Sequence, residues 1–153
     1  MQKITTFLWF DNNAEEAMNH YLSVFKNGKP ISVNRANGGV LTVTFELEGQ
    51  QFIALNGGPH FKFTEAISLF VNCETQEEVD ELWEKLAAGG EKSRCGWLKD
   101  KYGLSWQIIP KALGQLMSDP DPKKSQAVIE AMLKMNKIVI KDLQDAYQGT
   151  TAA

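Results

Sequence analysis

Cysteine and histidine are scarce in this chain, and that scarcity narrows its chemistry first. Among 153 residues there are two of each. Cys73 and Cys95 are too few for a disulfide framework and do not supply the four clustered ligands of a structural zinc site. Isolated thiols among many carboxylates suit a reducing compartment. His20 and His60 form neither an HExxH run nor a paired spacing. Charge of one sign is also lacking: 16 Lys and Arg against 19 Asp and Glu leave a net charge of -3. No basic patch is wide enough for a phosphate backbone, which excludes nucleic acid as a partner. Nor does any run approach the roughly 20 apolar residues of a membrane span. The opening stretch MQKITTFLWFDNN is too short in its apolar part for a signal sequence and lacks a small-residue cleavage site. A cytoplasmic protein, without membrane contact, is expected.

Phosphate cradles are missing as well. The glycine pairs at 38–39, 57–58 and 89–90 do not follow a strand and open a helix in GxGxxG order, so they read as loop punctuation. The acidic run ETQEEVDELWEK places its carboxylates on a solvated helix face.

What is present is enough apolar residue for one core, 43% of the chain, arranged as a repeat. KITTFLWF (3–10) reads as a strand, apolar on both alternating faces and therefore covered on both. NNAEEAMNHYLSVF follows. Asn13 and Glu16 have capping-box spacing, Ala17, Tyr21, Val24 and Phe25 form one buried stripe, and Asn27-Gly28 ends the helix. After a loop containing Gly38-Gly39, VLTVTFELEG and QQFIALNGG read as strands around a tight turn near Gly49. The same order then returns. AISLFVNC is a strand, and TQEEVDELWEKLAAGG is a helix capped by Thr75 and Glu78, with Val79, Leu82, Trp83 and Leu86 buried. SRCGWLKDKYGLSWQIIP supplies a closing hairpin. The two copies superpose in sequence with shifts of 61, 62 and 54, the slippage falling in loops. This predicts an α+β fold of two β-α-β-β-β modules, one at about 1–58 and the other at about 62–112, within a single domain 1–153. A helical tail, 113–153, carries a Val128, Ala131, Met132, Met135 stripe. It must pack on its own domain or on a second subunit.

WFDNNAEEAMNHY, LNGGPHFKFTEAISLFV and CGWLKDKYGLSWQIIP resemble the vicinal oxygen chelate (glyoxalase/bleomycin-resistance) superfamily. The likeness is strongest to its PhnB-like branch, often labelled 3-demethylubiquinone-9 3-methyltransferase-like. The resemblance implies curled mixed sheets around a cleft, a homodimer, and, in metal-dependent members, His and Glu ligands on the first and last strands of each module. Counting back from the helix aromatics Tyr21 and Trp83 puts the first-strand positions at Thr6 and at Ser68 or Ile67. Laying the last strands together gives Ile53 and Gln107. An amide, two hydroxyls and an isoleucine make a poor set for a divalent metal, so neither metal nor cofactor is expected. The branch label implies methyl transfer, but no fingerprint for S-adenosylmethionine on a doubly wound sheet is present.

The face carrying Gln107 reads instead as an apolar pocket with a few polar points, lined by Thr6, Ser68, Gln107, Ile53 and Trp97. Cys95, beside Arg94 on the strand opening the second hairpin, reads as a small buried hydrophobe, with a nucleophile as the alternative. His60 either approaches the cleft or closes a loop. Three readings follow: metal-free binding of a small, partly apolar molecule; a metal-dependent lyase, isomerase or dioxygenase; or a metal-free enzyme using Cys95 or His60.

Overall fold

The computed structural model describes residues 2–149. Its backbone divides into two compact units, one ending at Phe63 and the next beginning at Thr64, and each contains one four-stranded mixed sheet. The fold is α+β, as the repeated order of elements predicts, and neither sheet closes on itself.

In the first unit β1 (Thr6–Phe10) leads to α1 (Ala14–Val24), then β2 (Gly28–Ala36), β3 (Gly39–Leu47) and β4 (Gln50–Asn56), in spatial order β1-β4-β3-β2. β1 lies parallel to β4, and the other pairs are antiparallel. The predicted stripe of α1 is buried and packs on β3 and β4, above Leu8, Phe10, Val43, Phe45 and Phe52. Each buried phenylalanine there contributes about 1.5–3 kcal/mol of transfer free energy.

Several local expectations need correction. Asn13 makes no side-chain cap: its ψ of 30° lies outside the extended region a capping residue takes. The Ala14 amide donates instead to Asn56 Oδ1 at 2.8 Å, from the end of β4. The helix stops before Asn27-Gly28, because Phe25 is already extended and Gly28 opens β2. A Cβ on Gly28 would sit 2.9 Å from both Glu46 O and Leu22 Cδ2. The stretch before Gly38 is a strand rather than a loop, joined to β3 through Asn37 and Gly38, both at positive φ. Finally, β1 is fully covered on one face and only partly on the other. Leu8 and Phe10 are buried, whereas Phe7 is 54% exposed.

The second unit repeats the plan with β5 (Ser68–Cys73), α2 (Gln76–Ala87), β6 (Glu91–Lys92), β7 (Trp97–Lys99) and β8 (Ser105–Pro110), in order β5-β8-β7-β6. Here the N-cap forms: the Glu78 amide donates to Thr75 Oγ1 at 3.2 Å, and Glu78 Oε1 reaches back one residue past the cap to accept from the Glu74 amide at 2.7 Å. Val79, Leu82, Trp83 and Leu86 are buried with Leu98, Trp106 and Ile108. 

The tail forms α3 (Lys111–Met117), α4 (Pro122–Leu133) and α5 (Ile140–Gln148), with Asp121 capping α4 through the Lys123 amide at 3.0 Å. It packs within its own unit. Leu113, Val128, Ile138 and Leu143 bury themselves around Ile109, which points from β8 to the side opposite Ile108 and α2. Backbone bonds fix the attachment: the Cys95 amide donates to Met135 O at 2.9 Å and the Gly96 amide to Asn136 O at 2.8 Å. Gln76 adds a side-chain clamp, accepting from the Ile140 amide at 2.7 Å and donating to Ile138 O at 3.0 Å. Sheet two is therefore flanked by α2 on one face and by the tail on the other. No helix among the described residues is long and apolar enough to cross a membrane.

Candidate functional site

Strand register decides which side chains share a face, because a shift of one residue moves a side chain to the other side. In the first unit Phe7 pairs with Ile53 and Thr6 with Phe52. Phe52 is buried on the α1 side, so Thr6 and Ile53 lie on opposite faces of their sheet. In the second unit Phe70 pairs with Gln107, Gln107 with Trp97, and Ser68 with Ser105, all on the face away from α2. Ser68, Gln107 and Trp97 are thus brought together, and Thr6 is not brought to the face of Ile53.

The reason lies in loop length. Thr6 and Ser68 each precede their helix aromatic by the same count. Three residues link β1 to α1, but two link β5 to α2. Counting back through loops of unequal length loses the parity of the strand. The residues opposite Ile53 and Gln107 are Phe7 and Phe70, both about half exposed at 54% and 53%.

The metal question turns on donor chemistry. In the first unit the paired first-strand and last-strand positions hold Phe7 and Ile53, two hydrocarbon side chains; in the second they hold Phe70 and Gln107, a hydrocarbon side chain and a neutral amide. The Gln107 Nε2 donates to Ser68 Oγ at 2.9 Å, which fixes the plane of the amide; its second N–H and Oε1 make up the rest of its hydrogen-bonding capacity. A divalent ion wants three or four imidazole, carboxylate or thiolate ligands, and neither pair supplies one. Among the described residues no three His, Cys, Asp or Glu gather to hold an ion.

What the second unit does contain is a cavity of about 330 Å³. Its sheet side is Phe70, Cys95, Trp97, Gln107 and Ile109; its other side is Leu113, Gly114, Met117 and Met132 of the tail. No charged side chain lines it. One amide among hydrocarbon, aromatic and thioether groups can orient a ligand by a hydrogen bond while the rest contributes apolar burial. Nearby on the same sheet face, the Ser105 hydroxyl is buried without a protein partner.

Cys95 lies in the turn before β7, at φ 58°, rather than on the strand, and half-buried rather than enclosed. Cys73 is fully buried, and burial pushes its thiol up to about 12, with the charge of Glu78 adding to the effect. It is inert beside Cys95. His60 is exposed in the segment that closes the first unit. There Trp9 donates from Nε1 to Gly58 O at 2.9 Å and meets Phe61 edge-on at 4.9 Å, so this segment folds over part of the open face of sheet one. His60 does not line the cavity of the second unit.

Two groups of residues escaped the sequence. The tail wall had no local signal, since helical periodicity gives a buried stripe but not what it is buried against. Asp100 had a signal in DKYGLSW, an acidic residue opening a tight turn. Its carboxylate is buried and accepts from the Tyr102 amide at 2.9 Å, the Leu104 amide at 3.0 Å and Trp106 Nε1 at 2.9 Å. It builds the hairpin that carries Gln107.

Residues 2–109 match the family model described as 3-demethylubiquinone-9 3-methyltransferase. The chain belongs to this family. Through it the chain is a PhnB-like member of the vicinal oxygen chelate superfamily. A PhnB protein from Bacillus cereus is 42% identical with a TM-score of 0.68, the match covering 71% of this chain and 99% of that one. Protein PA1353 from Pseudomonas aeruginosa is 17% identical with a TM-score of 0.61, over 72% of this chain and 98% of that one. A fosfomycin resistance protein from Listeria monocytogenes, solved with Mn(II) and sulfate, shares the fold at 15% identity and a TM-score of 0.51, over 69% and 88%. No curated protein matches the chain. The family match ends at residue 109, so α3, α4 and α5 lie beyond it.

Proposed function

We propose that this PhnB-like protein binds a small, mostly apolar molecule in the cavity of its second unit, without a metal ion. The observation that carries the reading is the row Phe70, Gln107 and Trp97, which lies across three neighbouring strands where metal-dependent relatives would need charged ligands. Its single amide, held by Ser68, orients a polar group of the ligand; the surrounding apolar lining supplies affinity. Methyl transfer draws no support from the fold, because neither sheet is the doubly wound parallel sheet on which the glycine-rich cofactor fingerprint sits. A cytoplasmic homodimer belongs to the same reading. Ile4 and Phe7 in the first unit, and Ile67 and Phe70 in the second, leave apolar side chains exposed on or just before the first strand of each unit.

A second reading keeps Cys95 as a nucleophile, since its side chain lines the cavity beside Gln107. The two are separated by Cys95→Ser, which leaves binding intact in the first and abolishes turnover in the second. The decisive experiment on the metal is native mass spectrometry with elemental analysis after incubation with Zn(II), Ni(II), Mn(II) or Fe(II). The proposal expects a dimer without stoichiometric metal. One tightly held ion per chain would refute it.

A further inference from the structure

The cavity has two sides of different origin. The sheet side belongs to the stretch that matches the family, residues 2–109, whereas Leu113, Gly114, Met117 and Met132 come from helices beyond it. More than a quarter of this chain has no counterpart in the Bacillus cereus relative, although 99% of that protein is covered. The added helices bury Leu113, Val128, Ile138 and Leu143 around Ile109, on the face of β8 that also carries Gln107. They are held there by backbone bonds to Cys95 and Gly96 and by the Gln76 clamp.

From this we infer that the C-terminal helices set the ligand specificity of the second-unit cavity, and that the ligand class is a flat aromatic molecule carrying one hydrogen-bond donor. The inference rests on the binding reading and deepens it. Neighbouring strands lie about 4.8 Å apart, so the row from Phe70 through Gln107 to Trp97 spans about 10 Å, the width of a fused two- or three-ring system. Gln107 Nε2 gives one of its two N–H groups to Ser68, and in the proposal Oε1 accepts a hydroxyl or N–H from the ligand. Opposite this row the thioethers of Met117 and Met132 offer polarisable, rotatable contacts suited to an aromatic face.

Gly114 is the gauge of the site. It lies at the exposed rim of the cavity, and a Cβ built on it meets no atom within 4 Å, so a side chain there clashes with nothing. It sits in the middle of α3, where glycine costs helix stability. In the proposal, a larger side chain at this rim competes with the ligand while leaving the fold standing.

The test is calorimetric titration of the full chain with 2-naphthol, naphthalene and 9-phenanthrol. Wild type is expected to bind 2-naphthol in preference to naphthalene. Gly114→Leu should weaken 2-naphthol by about tenfold or more with an unchanged or raised Tm. Met132→Ala, which widens the tail side, should shift preference toward 9-phenanthrol by about tenfold. Gln107→Leu should erase the preference for 2-naphthol over naphthalene, and this arm tests the binding reading alone. If Gly114→Leu and Met132→Ala both bind as wild type while Gln107→Leu is impaired, the role of the tail is overturned and the binding reading stands. If wild type binds none of the three probes, both fall.

Discussion

Asp100→Ala removes one acceptor on which three donors converge. Asp100 is 2% exposed, and so are Leu104 and Trp106, two of the residues whose N–H groups it receives. The third donor, the Tyr102 amide, sits at the half-buried turn and can turn to water. A buried donor that loses its partner costs about 1–3 kcal/mol, and a bond to a charged acceptor lies toward the upper end. Two such donors give a loss of about 3 kcal/mol once the remade contacts of the loop are allowed for. For a chain of this size that lowers Tm by about 6–12 °C. The assay is guanidinium and thermal unfolding followed by far-ultraviolet circular dichroism, with Trp106→Phe and the double variant completing a cycle. The hydrogen bond from Trp106 Nε1 predicts a coupling of about 1 kcal/mol or more between the two sites. An Asp100→Ala protein within about 0.5 kcal/mol of wild type, or strict additivity in the cycle, would refute the reasoning.

Three further outcomes are expected. Iodoacetamide at pH 8 should label Cys95 and spare Cys73, whose thiol, pushed up to about 12, is ionised in only about one molecule in ten thousand; equal rates by peptide mass spectrometry would contradict the placement of both. Gly90→Ala should be strongly destabilising, because its Cβ would lie 2.1 Å from the backbone oxygen of Lys99 and the chain must move; an unchanged Tm would contradict that packing. The Tyr147 hydroxyl donates to Asp119, which holds that carboxylate below its ordinary value and the phenol above its own. The contact is therefore complete between those limits. It is lost as pH falls through the lowered Asp119 value, and as pH rises through the raised Tyr147 value. Beyond the intrinsic pH dependence of exchange, amide exchange of α5 should accelerate at both extremes in wild type, while Tyr147→Phe, with no hydroxyl to donate, should lose both arms.

The fold was legible wherever local chemistry and tertiary packing agreed. Thr75 and Glu78 announced the start of α2, and the buried stripes of α1 and α2 stood in the periodicity of their sequences. β2 was not legible, because an exposed edge strand with Pro30 at a bulge shows no alternation. Asn13 had the right spacing for a cap, but the group that satisfies Ala14 comes from Asn56, 42 residues away. Half of the candidate site was readable in the same sense. Gln107, Ser68 and Trp97 share a face as alternation predicts, while Thr6 failed because parity does not survive a loop of different length. The tail wall was invisible for the deepest reason. Nothing local in Leu113, Met117 or Met132 says that Ile109 and Cys95 lie across from them.

The most direct test of the central claim is calorimetric titration of 2-naphthol before and after exhaustive dialysis of the protein against EDTA. The account predicts one molecule bound per chain with the same affinity in both samples. Binding that disappears with EDTA and returns with Mn(II) or Zn(II) would contradict a metal-free site, and no binding in either sample would contradict the cavity as a ligand site.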